Sequence, residues 1–188
     1  MIDEHETYVS RSAYKLASVA DSLRLNFQDK RVLDVGSSTG GFTDYALKHG
    51  AAEVLAVEKG TNQMDRLLRG NPLIKLFEKT DIRDFKLDHA VDIVLIDVSF
   101  VSLKEVLPHI ASLSSQQTII VAMAKPQFET HDDRLKNKGV IKNERIRRNI
   151  LSGLEIWLKP GFKILTKVDS KIEGYKGNVE RFYKLKII

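Results

Sequence analysis

The sequence contains no cysteine among its 188 residues. Disulfide bonds, thiolate metal ligands and cysteine nucleophiles are therefore excluded. Proline and glycine are also sparse, at 4 and 11 residues, which excludes collagen-like and low-complexity chains. With 43% hydrophobic and 29% charged residues, the composition is that of one folded domain, and we expect residues 1–188 to form it.

Long hydrophobic runs are absent as well. The longest aliphatic stretch, residues 118–124, is far shorter than the ~20 residues of a membrane-spanning helix. The first six residues include three acids, whereas a signal peptide begins with a basic and then an apolar segment. We therefore expect a soluble, cytoplasmic protein. Its net charge of +5 suits a polyanionic partner such as nucleic acid.

Short aliphatic runs alternate with segments of helical period from Arg31 onward, which is typical of proteins built from βα units. The loop Ser170–Gly177 is too short for a helix, so the two strands that flank it should pair antiparallel. This is the layout of the S-adenosylmethionine-dependent methyltransferase fold, although other doubly wound folds start the same way. We expect an α/β, Rossmann-like fold of this type, with a seven-stranded, mostly parallel sheet, an antiparallel C-terminal hairpin and helices on both faces. The predicted strands are Arg31–Val35, Glu53–Glu58, Leu73–Phe77, Val91–Asp97, Thr118–Ala124, Phe162–Asp169 and Asn178–Ile187.

Two helices outside the strands are readily predicted. Residues 1–30 form an N-terminal helical arm in which Ser10–Leu25 is the helix and Ser10 the N-cap. Near the other end of the chain, apolar residues recur every four positions and predict a helix that covers the sheet. Its apolar face is Ile146, Ile150, Leu154 and Leu158, and Arg145, Arg147 and Arg148 are assigned to the opposite face.

Glycines follow the first predicted strand in the segment Asp34-Val-Gly-Ser-Ser-Thr-Gly-Gly-Phe42. Doubly wound proteins bind nucleotides at this edge of the sheet. A P-loop would need Lys-Ser/Thr where Phe42-Thr43 stands, and a dinucleotide site would need Gly-x-Gly-x-x-Gly rather than Gly-x-x-x-Gly-Gly. Because Asp34 would repel a diphosphate and attract an amino group or sulfonium, the pattern favours S-adenosylmethionine.

Two more acids stand where an adenosine would need them. Glu58 ends the second strand and could accept both ribose hydroxyls, and Asp81 follows the third strand and could accept from the adenine amino group. The alternative for these acids is that they cap helices or lie in solvated turns. The predicted cofactor-binding residues are Asp34, Gly36, Ser38, Gly40, Gly41, Phe42, Glu58, Asp81 and Asp97.

The segment after the fourth strand, Ile96-Asp97-Val98-Ser99-Phe100, should meet the methyl acceptor. It lacks the prolines that amino-group methylases use to hold a planar nitrogen. C5-pyrimidine methylation usually needs a cysteine, which this chain does not have. A hydroxyl acceptor remains.

Five motifs together resemble the FtsJ-like RNA methyltransferases, and within them the TlyA-type branch, often named hemolysins, which methylates ribose 2′-oxygens of rRNA. They are Ser10-Arg-Ser-Ala-Tyr-Lys-Leu16, Asp34–Thr43, Asp97–Leu103, Lys125-Pro-Gln-Phe-Glu129 and Lys176-Gly-Asn-Val-Glu180. The resemblance implies a catalytic tetrad of Lys15, Asp97, Lys125 and Glu180. In it Lys125 takes or steers the hydroxyl proton, Asp97 orients Lys125, and the other two tune charge and hold the ribose.

TlyA-type proteins usually begin with an S4-like RNA-binding domain, and only Met1–Thr7 precede the shared region here, so an accessory RNA-binding protein is a further expectation. A basic stretch, Arg134–Arg148, could neutralise phosphates. The predicted RNA-binding residues are Arg11, Arg134, Lys136, Lys138, Lys142 and Tyr175, the last by stacking on a base. The histidines show no ligand spacing, so no metal is expected. The alternative function is a ribosome-assembly factor that binds S-adenosylmethionine and RNA without turnover.

Overall fold

The computed structural model describes residues 7–130, 132, 139–174 and 177–188. Within them, a seven-stranded sheet runs in the order β3-β2-β1-β4-β5-β7-β6. Strands β1 to β5 pair parallel, whereas β7 pairs antiparallel with both β5 and β6, so the expected mixed sheet and C-terminal hairpin are confirmed. The strands are β1 (Arg31–Val35), β2 (Glu53–Val57), β3 (Ile74–Phe77), β4 (Ile93–Ile96), β5 (Ile119–Ala124), β6 (Phe162–Asp169) and β7 (Arg181–Ile187).

Helices cover both faces of the sheet, as expected. They are α1 (Arg11–Leu23), α2 (Gly41–Lys48), α3 (Leu103–Leu113), α4 (Pro126–Glu129) and α5 (Glu144–Leu158), with a 3₁₀ turn at Ile82–Asp84. Alternate residues of β4 supply the two cores, because successive side chains of a strand point to opposite faces. Val94 and Ile96 pack with α3 and α5, and Ile93 and Leu95 pack with α1 and α2. No helix in the described ranges is both long and apolar enough to cross a membrane.

The parallel register brings several strand ends to one edge of the sheet. Val35 at the end of β1 pairs with Val57 of β2 on one side and with Ile96 of β4 on the other. The residues that follow these strands therefore meet at this edge, where doubly wound sheets bind their ligands. The candidate site lies there.

The last strand begins three residues later than predicted, at Arg181 rather than Asn178. The buried side chain of Asn178 accepts a hydrogen bond from the Ile141 amide and donates one to the Gly139 carbonyl. These bonds hold Asn178 against another loop, outside the β-ladder. A sequence pattern of alternating apolar residues cannot register such a bond.

The N-cap prediction for α1 is correct in position but wrong in mechanism. Ser10 has the extended backbone of an N-cap, yet its side chain caps no helix amide. Its hydroxyl instead lies 2.8 Å from the hydroxyl of Ser12.

The predicted apolar face of α5 is partly wrong. Ile146 is an exposed residue, and the buried face is made by Leu151, Leu154 and Leu158 together with Arg147. Arg147 pairs with Asp169 at 2.7 Å and donates to the Val179 carbonyl, so its charge lies inside the fold and not on the solvent face. The sequence does not distinguish such a buried arginine from a surface arginine, because its partners are distant along the chain.

Candidate active site

The loop after β1 needs glycine at Gly36. Its φ is +78°, a conformation open to glycine, and a Cβ there would lie 2.7 Å from the Asp97 carbonyl oxygen. Glycine therefore lets the ends of β1 and β4 approach each other. A side chain at Gly41 would collide with the hydroxyls of Ser10 and Ser12, so that glycine lets α1 pack against α2.

Asp34 lies fully buried beneath this loop. Its Oδ2 accepts a hydrogen bond of 2.6 Å from Thr43 Oγ1, whereas its Oδ1 has no partner among the described residues. Burial, and secondarily the charges of Asp97 and Glu58, raise the pKa of the Asp34 carboxyl to about 7, although the bonds from Thr43 oppose the shift. A buried carboxylate oxygen without a partner is costly, so a cationic ligand at Oδ1 would stabilise it.

Two adjoining cavities open at this edge of the sheet. The larger, of about 670 Å³, is lined by Glu58 and Asp81, and the smaller, of about 260 Å³, by Asp34 and Lys125. Their shared lining residues are Gly36, Ser38, Asp97 and Ser99. One elongated ligand could therefore occupy both cavities.

Glu58 is held in place at the end of β2 by backbone amides. Its Oε2 accepts from the Ser38 amide at 2.9 Å and its Oε1 from the Gly60 amide at 2.6 Å. Each oxygen keeps a second lone pair for a ligand hydroxyl. The carboxylate therefore suits a pair of hydroxyl groups.

Asp81 already carries four hydrogen bonds. The Arg83 amide and Nε donate to its Oδ1, and Arg83 Nη2 and Lys59 Nζ donate to its Oδ2. These hydrogen bonds hold the pKa of Asp81 well below its usual range, and the bond from the Arg83 side chain contributes most. Because a carboxylate offers about four lone-pair sites, an incoming amino group must displace one donor. The most exposed of them, Lys59, is bound at 3.2 Å.

Lys125 and Asp97 form an ion pair where the two cavities adjoin. Lys125 follows β5 and Asp97 follows β4, and Lys125 Nζ lies 2.6 Å from Asp97 Oδ1. The same nitrogen donates to Ser99 Oγ at 2.8 Å. Since a lysine has three donors, one is left for a ligand oxygen.

A second ion pair joins Lys15 of α1 to Glu180, with Nζ 2.8 Å from Oε1. In the β5–β7 ladder Ala124 pairs with Arg181. Lys125, which follows Ala124, and Glu180, which precedes Arg181, are therefore neighbours at the end of this ladder. The predicted tetrad is thus arranged as two neighbouring ion pairs. Glu180 Oε2 is buried without a partner among the described residues.

Phe100 lies at the rim of the larger cavity. Its side chain is 91% exposed and its φ is +64°, which is unusual for a bulky residue. Its only ring contact in the described part of the chain is with Phe128, at a centroid distance of 5.1 Å. A flat apolar ring is therefore presented to solvent next to Ser99, the residue to which Lys125 donates.

The other predicted residues are placed as follows. Gly40 and Gly41 line neither cavity, and Phe42 lines the smaller one with its ring packed on Phe182. Arg11 also lines the smaller cavity and donates to the Glu173 carbonyl at 2.9 Å. Lys142 is exposed just before α5. The remaining predicted RNA-binding residues, Arg134, Lys136, Lys138 and Tyr175, lie outside the described residues.

Sequence reasoning missed two residues of this site, Ser99 and Thr43. Ser99 stands within the quoted motif after β4, and only the fold shows that its hydroxyl meets Lys125. Thr43 follows the glycines by two positions, at the first turn of α2, and that spacing could have signalled a hydroxyl facing Asp34. In the described ranges no group of three or more His, Asp or Glu side chains could hold a metal ion.

The strand order, with a parallel sheet, an antiparallel C-terminal hairpin and helices on both faces, is the fold of the S-adenosylmethionine-dependent methyltransferases. The profile of the FtsJ-like methyltransferases matches residues 8–186. The chain belongs to this family, and membership implies S-adenosylmethionine as the methyl donor.

Three relatives extend the comparison. The 23S rRNA (cytidine-2′-O)-methyltransferase TlyA of Campylobacter jejuni is 37% identical over 95% of this chain and 70% of its own length. The 16S/23S rRNA (cytidine-2′-O)-methyltransferase TlyA of Mycobacterium tuberculosis is 34% identical over 98% of this chain and 70% of its own length. A solved structure from Streptococcus thermophilus that carries the hemolysin name superposes with a TM-score of 0.91 at 33% identity, covering 98% of this chain and 69% of its own.

Proposed function

We propose that the protein transfers a methyl group from S-adenosylmethionine to a ribose 2′-hydroxyl of ribosomal RNA. The observation that carries this proposal is the Lys125–Asp97 ion pair, which stands where the two cavities adjoin and has one lysine donor left for an acceptor oxygen. The names of the TlyA relatives support the 2′-oxygen of rRNA as that acceptor. An rRNA substrate would place the enzyme in the cytoplasm.

The donor is proposed to lie across both cavities. Its adenosine fits the larger one, with the ribose hydroxyls on Glu58 and the adenine amino group on Asp81 in place of Lys59. Its methionine end fits the smaller cavity, with the amino group near the unpartnered Oδ1 of Asp34. The reacting sulfur would then lie near Asp97 and Ser99, two of the four residues common to both cavities.

When bound, S-adenosylmethionine supplies an electrophilic methyl group on a sulfonium, so that one C–S bond breaks as one C–O bond forms and a hydroxyl proton leaves. Lys125 would orient the 2′-oxygen by its third donor, while Asp97 and Ser99 hold the other two. Lys125 would thereby steer the hydroxyl proton, and the Asp97 carboxylate would accept it, since an ammonium group has no lone pair. Lys15 and Glu180, next to Lys125 across the strand ends, would adjust the local charge.

Exposed groups around the site suit an RNA acceptor. Phe100 offers a free ring for stacking on a base, as aromatic side chains do with single-stranded RNA. Arg11 and Lys142 offer cations for phosphates, together with the basic residues outside the described ranges. These contacts support recognition of an unpaired or flipped nucleotide.

The proposal is tested by offering labelled S-adenosylmethionine with small subunits, large subunits and free rRNA in turn, with and without a cell extract that could supply an accessory RNA-binding protein. We expect label in alkali-resistant dinucleotides, because a 2′-O-methyl group blocks alkaline cleavage. Label in alkali-sensitive RNA would contradict the 2′-oxygen. Binding of both cofactor and subunits without transfer in any arm would favour the non-catalytic assembly factor.

A further inference from the structure

Thr43 and Asp34 form an isolated polar contact inside the fold. Both side chains are completely buried, and their hydrogen bond of 2.6 Å joins the first turn of α2 to β1. The bond uses one carboxylate oxygen and leaves the other, Oδ1, without a partner in the described part of the chain. Asp34 also lines the smaller cavity.

We propose that Thr43 is a positioning residue for the cofactor, because its hydroxyl fixes Asp34 so that the free oxygen receives the ligand's ammonium group. The inference rests on the proposed function, since it needs a ligand that carries a cation into the smaller cavity. Thr43 itself touches no ligand. Its hydroxyl acts by choosing which oxygen is free and by favouring the ionised carboxylate.

The charges around Asp34 make this contact sensitive to pH. Asp97 from the end of β4 and Glu58 from the end of β2 disfavour its ionisation, and burial disfavours it more, so its pKa is raised to about 7. The cations of Lys125 and Arg11 line the same cavity but do not hydrogen-bond to Asp34. An ammonium ligand would favour the carboxylate and lower that pKa, so binding below neutral pH must release a proton.

Affinity for an ammonium-bearing ligand should rise as pH increases through about 7 and then level off, with a change of about tenfold between pH 6 and pH 8. Replacing Thr43 by valine removes a hydrogen bond to the charged form. The pKa of Asp34 then rises further, so the affinity at pH 7 should fall by about tenfold and the rise should move to higher pH.

The experiment is calorimetric titration of the full chain between pH 6 and pH 8 with two probes. S-adenosylhomocysteine carries the ammonium group, whereas methylthioadenosine has the same adenosine without it. The variants are Thr43→Val, Thr43→Ser, which keeps the hydroxyl, and Thr118→Val as a matched control. Thr118 is a buried threonine whose hydroxyl donates to the Val91 carbonyl, away from both cavities.

We expect Thr43→Val to weaken the binding of S-adenosylhomocysteine and to shift the pH profile of that affinity. The affinity for methylthioadenosine should not change, and both other variants should bind like wild type. An unchanged profile in Thr43→Val would overturn the inference while leaving the proposed function intact. If wild type binds neither probe, the proposed function itself fails. Should Thr43→Val not fold, Thr43→Ala, which also lacks the hydroxyl, takes its place, and wild-type affinity for S-adenosylhomocysteine in that variant would overturn the inference.

Discussion

The two lysine–carboxylate pairs of the site have the same chemistry but different surroundings. Lys125–Asp97 stands where the two cavities adjoin, and its lysine also bonds to Ser99. Lys15–Glu180 lines neither cavity, and the Glu180 side chain is only 4% exposed. The first pair can therefore reach a substrate oxygen directly, whereas the second joins α1 to the β6–β7 connection and acts on the first through its charge.

The residue types of the two pairs therefore do not by themselves assign the role of each pair within the tetrad. A buried ion pair contributes little net stability, but breaking it by removing one partner is costly. We call Lys125–Asp97 the outer pair and Lys15–Glu180 the inner pair. The outer pair should show its importance in the chemical step. The inner pair should show it in both stability and chemistry, and substitutions can separate the two.

The largest effect is expected for Lys125→Ala. Loss of the group that orients the 2′-oxygen and steers its proton should lower kcat by about 10²–10⁴-fold. S-adenosylmethionine affinity should change by less than about threefold, because Asp34, Glu58 and Asp81 keep all their hydrogen bonds. Steady-state methyl transfer and calorimetry measure the two quantities. The control is Lys163→Ala, on the exposed edge strand β6, which should match wild type; equal losses in both variants would contradict the assignment.

The next largest effect concerns the inner pair. Glu180→Leu leaves Lys15 without its partner, so the free energy of unfolding should fall by about 3–5 kcal/mol. In the double variant Lys15→Met/Glu180→Leu the unpaired charge is gone, and most of that stability should return, while methyl transfer stays at least about tenfold below wild type. Denaturant unfolding and methyl-transfer rates test this. Recovery of activity along with stability would make the inner pair purely structural.

A smaller effect is expected for Phe100→Ala. Stacking of a base on an aromatic ring contributes about 1–3 kcal/mol, so the KM for RNA should rise by roughly 5- to 150-fold. The thermal unfolding midpoint should not fall, because the ring is exposed. Leu67→Ala, which removes another exposed apolar side chain outside both cavities, is the matched control. An unchanged KM would show that Phe100 does not meet the acceptor.

The smallest effect distinguishes two basic residues near the start of α5. Lys142→Ala should weaken RNA binding slightly and reduce the slope of log affinity against log salt by about one, as expected for loss of one phosphate contact. Arg147→Met should leave that slope unchanged and lower stability instead, because Arg147 is buried against Asp169. Filter binding over a salt series measures both slopes. A reduced salt slope in Arg147→Met together with an unchanged slope in Lys142→Ala would contradict the burial of Arg147.

Sequence patterns predicted the sheet well, because buried parallel strands such as Ile93–Ile96 are short, continuous apolar runs with turns at their ends. They failed at Asn178 and Arg147, where one buried polar side chain decides the local structure through partners distant in the chain. For the site, the acids at the strand ends could be named in advance. That Asp81 already carries four hydrogen bonds depends on atomic contacts that no spacing encodes.

The most direct test of the role of the Lys125–Asp97 pair is the single-turnover rate of methyl transfer. It is compared between wild type and Lys125→Ala with RNA and S-adenosylmethionine both saturating. Under these conditions binding no longer limits the rate, and only the chemical step is measured. We predict that the rate constant falls by about 10²-fold or more in the variant. A variant rate within about twofold of wild type would contradict a role for the Lys125–Asp97 pair in the transfer.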